Sequence, residues 1–334
     1  MAYEDLVERL ADEPEERTVT ALPDGSVDVY HALYDANGER IEDRETFAER
    51  LTEGKPSFPV ERESTEPGGQ AVNMARQADA LGNRVRLYGH LDDPVFDELD
   101  VERVSMGAPS RIEIHSLDED VLFTEVSPDI ADWTLERFQA VADDPAERLA
   151  AAAICWGNWA SAPGLTEAFR ELADASIDGG LFLLDPGPIT TRSDGSIQEL
   201  LEALSALESA YNVVLSLDPS ELEAITRAIG VDEADDRERL AELRAEAGLT
   251  ALVLHAESEA TAAIRGRNVS VENLTVEEPV RETGAGDRFD AGLVHALGRD
   301  WGLETALALG NACASYAVET AGTADREALR SWLE

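Results

Sequence analysis

The sequence is poor in cysteine, in lysine and in long apolar runs. Its 334 residues include two cysteines, Cys155 and Cys313, both in apolar surroundings, so we expect buried thiols and no disulfide framework. Lys55 is the single lysine among 27 basic residues, which face 70 acidic ones. No uncharged apolar run reaches about 18 residues, the minimum for a membrane span. These absences predict a reducing compartment and no membrane-spanning segment.

The formal net charge of −43 bears on partners and on environment. A surface this negative repels nucleic acid phosphates and anionic lipid heads, so neither nucleic acid nor a membrane is an expected partner. The carboxylates alternate with apolar residues at helical spacing, as in residues 237–247, which indicates solvated helix faces. In this respect the chain resembles haloarchaeal cytosolic proteins. Residues 1–5 lack the pattern of a signal peptide, and the predicted location is cytoplasmic.

Apolar runs typical of buried strands alternate with helical patterns through most of the chain. Strands are predicted at 18–22, 85–88, 153–156, 181–184, 213–217 and 249–254, and helices at 71–81, 163–175, 196–207, 219–229, 287–297 and 303–320. This alternation is typical of a mostly parallel sheet with helices on both faces. The polar stretch 35–67 and a predicted hairpin at 110–126 fall outside it. We therefore predict a three-layer α/β/α core, residues 1–29, 68–100 and 128–334, with a small β-containing lid, residues 30–67 and 101–127.

The most informative string is Thr-Gly-Ala-Gly-Asp at residues 283–287, directly before an apolar helix. Its glycines permit a turn that aims successive amide N–H groups at one point. At the positive end of a helix, such a turn favours phosphate oxygens. A carboxylate there, Asp287, can take a proton from an attacking hydroxyl while the amides stabilise the transferred group. The string thus predicts phosphoryl transfer.

Other interpretations of the glycine-containing strings are available. A dinucleotide fingerprint would need a third glycine at position 289, where the chain has Phe289. A Walker A loop is excluded because Pro56 follows Gly54 and Lys55 and no glycine stands five residues earlier. The string at 283–287 could also do no more than cap a helix, since Gly and Asp are both acceptable there.

Two motifs together are similar to the signatures of the PfkB/ribokinase family of carbohydrate kinases. The string at 283–287, followed by Phe289 and Gly292, resembles the C-terminal signature. Residues 68–73, Gly-Gly-Gln-Ala-Val-Asn, with Leu-Gly at the end of the next helix, resemble the N-terminal signature. The resemblance implies a ribokinase-like fold, Asp287 as the base, an anion hole and a sugar site; the implied anion-hole residues are Gly284, Ala285 and Gly286, and the implied sugar-binding residues are Asp28, Gly68, Gly69 and Asn73.

The resemblance also implies Mg²⁺ and a nucleotide. The family's Asn-x-x-Glu motif for Mg²⁺ is matched by Asp218 and Glu221, and Mg²⁺ accepts either oxygen ligand. Asp218 equally fits a helix N-cap. Thr283, His255 and Asn311 are the expected nucleotide-binding residues, although Asn311 could be a buried, locally bonded helical residue. His255 stands where the family usually has glycine, so ADP is not excluded beside the favoured ATP, and it lacks neighbours at metal-ligand spacing.

Together these features predict a sugar or sugar-acid kinase that transfers the terminal phosphoryl group of ATP to a primary hydroxyl. A nucleoside kinase of the same fold and a non-catalytic sugar-binding regulator are the alternatives. Arg111 or Arg62, in the lid, would bind a substrate that is already phosphorylated. Relatives carry Asp where this chain has Arg281, and the hypothesis is that Arg281 replaces an activating monovalent cation, the alternative being an ordinary ion pair. A homodimer through the lid is also expected.

Overall fold

The structure, a computed structural model, describes residues 2–13, 15–54, 57–175, 177–231 and 235–334. Lys55 and Pro56, which entered the comparison with a Walker A loop, lie outside the described residues. Among the described helices, none combines the length and the apolar character that crossing a membrane requires.

The elements follow one another along the chain as strands and helices of ordinary length. The strands are β1 (Thr18–Leu22), β2 (Ser26–Tyr34), β3 (Arg40–Ile41), β4 (Val60–Gly68), β5 (Arg84–Gly89), β6 (Glu102–Ser105), β7 (Ser110–His115), β8 (Val121–Glu125), β9 (Ala153–Trp156), β10 (Leu181–Leu184), β11 (Asn212–Leu217), β12 (Ala251–His255), β13 (Glu259–Ile264) and β14 (Arg267–Glu272). The helices are α1 (Ala2–Ala11), α2 (Arg44–Thr52), α3 (Gln70–Ala80), α4 (Pro128–Ala131), α5 (Leu135–Val141), α6 (Pro145–Leu149), α7 (Leu165–Asp174), α8 (Asp194–Leu207), α9 (Pro219–Ile229), α10 (Asp236–Ala247), α11 (Ala285–Leu297), α12 (Leu303–Thr320) and α13 (Arg326–Leu333).

In the described chain, a central sheet of nine strands runs in the order β14-β13-β12-β11-β10-β9-β1-β5-β6. The pairs from β12 across to β6 are parallel, and β13 and β14 form an antiparallel edge. Apolar side chains of α4–α10 cover one face, and those of α1, α3, α11, α12 and α13 cover the other. The predicted three-layer α/β/α core is therefore confirmed.

Burial explains why the central strands were visible in the sequence. Every residue of β9 is buried, as are five of the six residues of β11. A strand covered on both faces must be apolar at every position rather than at alternate ones. The edge strands β13 and β14 were not predicted, because their alternating small and polar residues form no continuous apolar run.

A second sheet, formed by β2, β3, β4, β7 and β8, lies outside the central one in the order β3-β2-β7-β8, with β4 also paired to β2. Strand β4 was missed, because its first four residues are exposed and polar residues dominate it. Two boundaries of the predicted lid differ from the structure. Strand β6, placed in the lid, pairs with β5 in the central sheet, and residues 26–29, placed in the core, begin β2 of the second sheet.

Candidate active site

A cavity of about 560 Å³ opens where the carboxyl ends of the central strands meet the second sheet. In sheets of this kind, ligands bind beyond the carboxyl ends of the parallel strands. The cavity brings together residues that the sequence places far apart. Among the predicted site residues, those that line it are Asp28, Gly69, Asn73, Asp218, Glu221, His255, Thr283, Gly284, Gly286 and Asp287.

The loop before α11 forms the floor of the cavity. Gly284 caps the helix with φ of +80°, a left-handed conformation that favours glycine. The amide of Ala285 donates to the carbonyl of Glu282 at 3.1 Å, so it is not free for an anion. The amides of Gly286 and Asp287 have no helical acceptor, because a helix leaves its first N–H groups unpaired. Of the predicted set Gly284, Ala285 and Gly286, the Ala285 amide is thus engaged within the chain, while the Gly286 amide remains available.

Asp287 lies in the first turn of α11 with only 6% of its surface exposed. The Asn73 side-chain amide, from α3, donates to its Oδ2 at 2.8 Å. Burial, reinforced by the charge of Asp185, raises the pKa of Asp287 to about 7, while Asn73 and Arg288 act in the opposite direction. A carboxyl group with a pKa near neutrality is suited to exchange a proton with a substrate hydroxyl.

Asp28 reaches the cavity from the second sheet. It accepts a hydrogen bond from Ser26 Oγ at 2.5 Å, and burial is the main cause that raises its pKa to about 6. A Cβ atom at Gly68 would lie 2.0 Å from Asp28 Oδ2. The first glycine of the pair therefore makes room for this carboxylate. Gly69 has φ of +101°, and a Cβ there would lie 2.8 Å from Gly25 Cα, so both glycines are required by the protein's own packing.

Asp218 and Glu221 form the N-terminal cap of α9 and also line the cavity. Asp218 Oδ1 accepts from the Glu221 amide, and Glu221 Oε2 accepts from the Asp218 amide, both at 2.8 Å. This reciprocal capping box leaves one oxygen of each carboxylate uncommitted among the described contacts. Burial, with the charges of Asp185 and Asp218, raises the pKa of Glu221 to about 10. The pair suits a hard cation such as Mg²⁺, which takes oxygen ligands and retains water.

Arg111 and Asn311 do not reach the cavity. On β7, Ser110 and Ile112 line it, and since side chains alternate along a strand, Arg111 points to the other face, where it pairs with Glu113 at 2.6 Å. Asn311 is buried in α12 and donates to the Val271 carbonyl at 3.2 Å. The structure thus places both side chains away from the cavity, and the phosphate contact of Arg111 and the nucleotide contact of Asn311 stay predictions.

Thr283 and His255 both lie at the cavity, each with a protein partner that its sequence context did not suggest. Thr283 Oγ1 donates to Asp120 at 2.8 Å, which joins the loop before α11 to the β7–β8 turn. The His255 ring lies against Gly286, where an added Cβ would come within 3.1 Å of the ring. Burial lowers the pKa of His255 to about 4, so the ring is neutral at pH 7.

Two arginines, Arg281 and Arg288, lie near this loop, where the sequence predicted a positive charge from Arg281 alone. The Arg281 guanidinium binds both oxygens of Glu66 on β4, at 2.7 and 3.2 Å, and lies 3.8 Å from the Tyr30 ring centroid. It therefore ties the loop to the second sheet, which favours the ion-pair alternative. The Arg288 guanidinium donates to the Gly284 carbonyl at 2.7 Å. Arg288, four residues after Gly284, thus places a positive charge beside the turn at residues 284–287.

Sequence reasoning missed several polar residues at the strand ends. Asp24, just after β1, accepts from the amide of Ala71 at 2.8 Å and from Asn158 Nδ2 at 3.0 Å. Asp185, just after β10, is also buried against the cavity. An acidic residue directly after a buried parallel strand is a signal that could have found both, because such strand ends meet at one edge. Asp290, inside α11, had no comparable signal.

The model of the prokaryotic ketohexokinase family matches residues 23–334. The chain belongs to that family. A ketohexokinase from Haloferax volcanii is 28% identical over 315 residues, covering 88% of this chain and 83% of the relative. The PfkB/ribokinase resemblance and the prediction of a carbohydrate kinase are confirmed.

Solved structures show the same ribokinase-like fold at low sequence identity. A probable sugar kinase from Rhizobium etli superposes with a TM-score of 0.70 at 18% identity, covering 96% of this chain and 98% of that one. Ribokinase from Thermotoga maritima gives 0.69 at 17%, with 95% and 98% covered. Fructokinase with bound ATP from Xylella fastidiosa gives 0.67 at 16%, with 95% and 98% covered. The chain thus has the ribokinase-like fold.

Proposed function

We propose that this protein transfers the terminal phosphoryl group of ATP to a primary hydroxyl of a ketohexose, with Asp287 as the general base. One observation carries the proposal: Asp287 is buried in the first turn of α11, bonded to Asn73, and faces the same cavity as Asp28. The free amides of Gly286 and Asp287 lie at the positive end of the helix, where they would stabilise the charge of the transferred group.

The substrate class follows from the polar groups that face the base. Asp28 offers carboxylate oxygens and Asn73 a side-chain amide, so together they can accept from and donate to adjacent hydroxyls. A ketohexose presents such hydroxyls and ends in primary ones, and the family and its Haloferax relative are ketohexokinases. The matched family favours this class over a nucleoside, and the base favours a kinase over a non-catalytic regulator.

The nucleotide and the metal are proposed on the chemistry of the donor set. ATP is the donor favoured by the neighbour that binds it. Asp218 and Glu221 would hold Mg²⁺ through their uncommitted oxygens. Mg²⁺ neutralises charge on the phosphate oxygens when it is bound. Glu221 is nearly buried, and a cation beside it would offset the burial of its charge.

Two further expectations about environment and assembly stay with this proposal. The charge of −43 suits a cytoplasm rich in salt, because screening reduces self-repulsion. A homodimer through the second sheet is supported by large apolar side chains that remain exposed on or beside β8, namely Phe123 and Val126.

The test is a coupled kinase assay in molar KCl with Mg²⁺, comparing ATP with ADP and fructose with other hexoses, sugar acids and nucleosides. Asp287→Asn should lower kcat by about 100-fold or more, because the carboxylate acts on the proton in the transition state. Fructose binding, measured by calorimetry, should change little. A nucleoside preference, or an Asn variant within about tenfold of wild type, would contradict the proposal.

The pH profile gives a second, independent measure of the base. The reactive form of Asp287 is the carboxylate, so kcat/KM should fall as pH drops through about 7, the raised pKa of this group. Since burial disfavours the charged form, Asp287→Asn should melt no lower than wild type at pH 8, which serves as the control for folding. An acidic limb near pH 4 would argue against a buried base.

A further inference from the structure

Three metal-ligating side chains converge beside the base, and the proposed kinase chemistry uses none of them. Asp185 follows β10, His255 ends β12 and Asp290 lies in α11. One potential ligand atom of each lies within 4.8 Å of those of the other two. The three residues come from three separate elements, so only the folded chain brings them together. We call them the Asp-His-Asp cluster.

Asp290 is the member of the cluster whose buried carboxylate has no positively charged partner among the described residues. Its side chain has 0% of its surface exposed. The Ser216 hydroxyl and the Asp185 carboxyl group face it, but neither is placed to make a well-formed hydrogen bond to its carboxylate oxygens. An unpaired buried carboxylate carries a large desolvation penalty and is normally paired or bound to a metal. The arrangement therefore calls for a positive group, or a proton, at this point.

The other two members also keep a ligand atom available. Asp185 Oδ1 accepts from the Gly187 amide at 2.9 Å, and the Gln70 side chain also acts on this carboxyl group, so both neighbours orient it. The Nε2 atom of His255 has no partner among the described residues. The guanidinium nearest along α11, that of Arg288, is directed to the Gly284 carbonyl instead. Within the described chain, no ion pair reaches Asp185 or Asp290.

We propose that the Asp-His-Asp cluster binds a divalent transition-metal cation, of the Mn²⁺, Co²⁺ or Zn²⁺ class. Two carboxylates and a neutral imidazole are a donor set that these ions accept, whereas Mg²⁺ prefers oxygen ligands alone. The site is distinct in chemistry from the all-oxygen pair Asp218 and Glu221. A cation here would join the ends of β10 and β12 to the helix that presents Asp287.

The competing explanation is a proton shared between Asp185 and Asp290. Both carboxyl groups are buried, and two like charges at this separation cannot both persist without a counter-charge. A shared proton would satisfy the pair without using His255. The two explanations therefore differ in whether a metal binds and in whether the imidazole matters.

The experiment is a titration of the metal-free full-length protein with Co²⁺ in molar KCl, with millimolar Mg²⁺ present to occupy oxygen-only sites. We expect visible d–d absorption that saturates at one equivalent and a higher melting temperature with Co²⁺ than without it. His255→Gln and Asp290→Asn should each weaken Co²⁺ binding at least about tenfold, since removing a ligand costs no less than disturbing its support. No sugar or nucleotide is present, so the result is independent of kinase activity.

A matched control variant distinguishes Co²⁺ binding at the cluster from binding at another imidazole group. His115→Gln, in the second sheet, should bind Co²⁺ as wild type does. If Asp290→Asn does not fold, as judged by circular dichroism, Asp185→Asn tests the same site. No saturable binding by wild type, or equal binding by the His255 and Asp290 variants, would overturn the proposal and favour the shared proton.

Discussion

The central sheet and the second sheet meet at one cavity, yet they are held by different forces. In the central sheet, β9 is buried at every residue, and Trp156 packs its ring against Phe169 and Phe182 at centroid distances of 5.2 and 5.6 Å. In the second sheet, the outer strand β8 has four exposed residues out of five. Hydrophobic burial thus stabilises β9 far more than the outer strand β8, although seven of the nine residues of β2 in the second sheet are buried.

Polar contacts join the second sheet to the loop before α11, in addition to the apolar packing of β2. Glu66 on β4 binds Arg281, and Asp120 in the β7–β8 turn accepts from Thr283. Both contacts end on the segment just before α11. The central sheet and its helices thus position Asp287 through apolar packing, whereas Asp28 reaches the same cavity from the buried strand β2 of the second sheet.

The largest expected effect is that of salt concentration, which changes the screening of charges and hardly changes the hydrophobic contribution of buried side chains. With a net charge of −43, transfer from 2 M to 0.05 M KCl should unfold the protein, because self-repulsion is screened over only a few Å at molar salt. Tryptophan fluorescence, which reports mainly on the core, and far-UV circular dichroism should change together. A transition unchanged by salt would contradict the expectation, and two separate transitions would show that the sheets unfold independently.

The next effect tests the apolar core directly. Trp156→Ala should lower the free energy of unfolding by about 3–5 kcal/mol, because it leaves a cavity among Trp133, Phe169 and Phe182. Phe123→Ala is the matched aromatic substitution in the second sheet, where the side chain is 57% exposed, and should cost far less. Urea unfolding in molar KCl measures both, and equal losses would break the contrast between the sheets.

A substitution in the second sheet should affect substrate affinity more than turnover. Asp28→Asn keeps the shape of the side chain and removes the charge, so KM for the sugar should rise roughly tenfold, as expected for loss of a hydrogen bond to a charged group. The change in kcat should stay within about threefold. Initial-rate kinetics beside Asp287→Asn measure this difference, and a variant of Asp28 that loses mainly kcat would place it in the chemistry.

The smallest effect belongs to the ion pair that links the sheets. Arg281 and Glu66 are partly exposed, with 21% and 36% of their side chains accessible, so the coupling between Arg281→Ala and Glu66→Gln should be about 0–1 kcal/mol. A double-mutant cycle in urea measures it.

Arg288→Ala should lower kcat more than Arg281→Ala does, since only Arg288 contacts the Gly284 carbonyl. If Arg281→Ala instead lowered kcat more than Arg288→Ala does, the hypothesis that Arg281 replaces an activating cation would be favoured.

Helices and strands whose residues form a clear local pattern were predictable from the sequence. The helix from Leu303 to Thr320 was predicted with the ends that the structure shows. The buried strand β9 was equally clear, because a run of apolar residues of strand length has few other interpretations. Strand β4 was hidden, because its residues are polar and exposed, and it exists only because β2 supplies hydrogen-bond partners along its length.

The sequence by itself determined the turn before α11 and the place of Asp287 at the start of that helix, because Gly284, Gly286 and Asp287 lie within one helical turn and their geometry is local. It also determined the three-layer core through the period of its apolar residues. Only the tertiary structure decided that Arg111 faces away from the cavity and that Asp185, His255 and Asp290 meet. These outcomes depend on strand pairing and helix packing between distant segments, which no spacing along the chain can express.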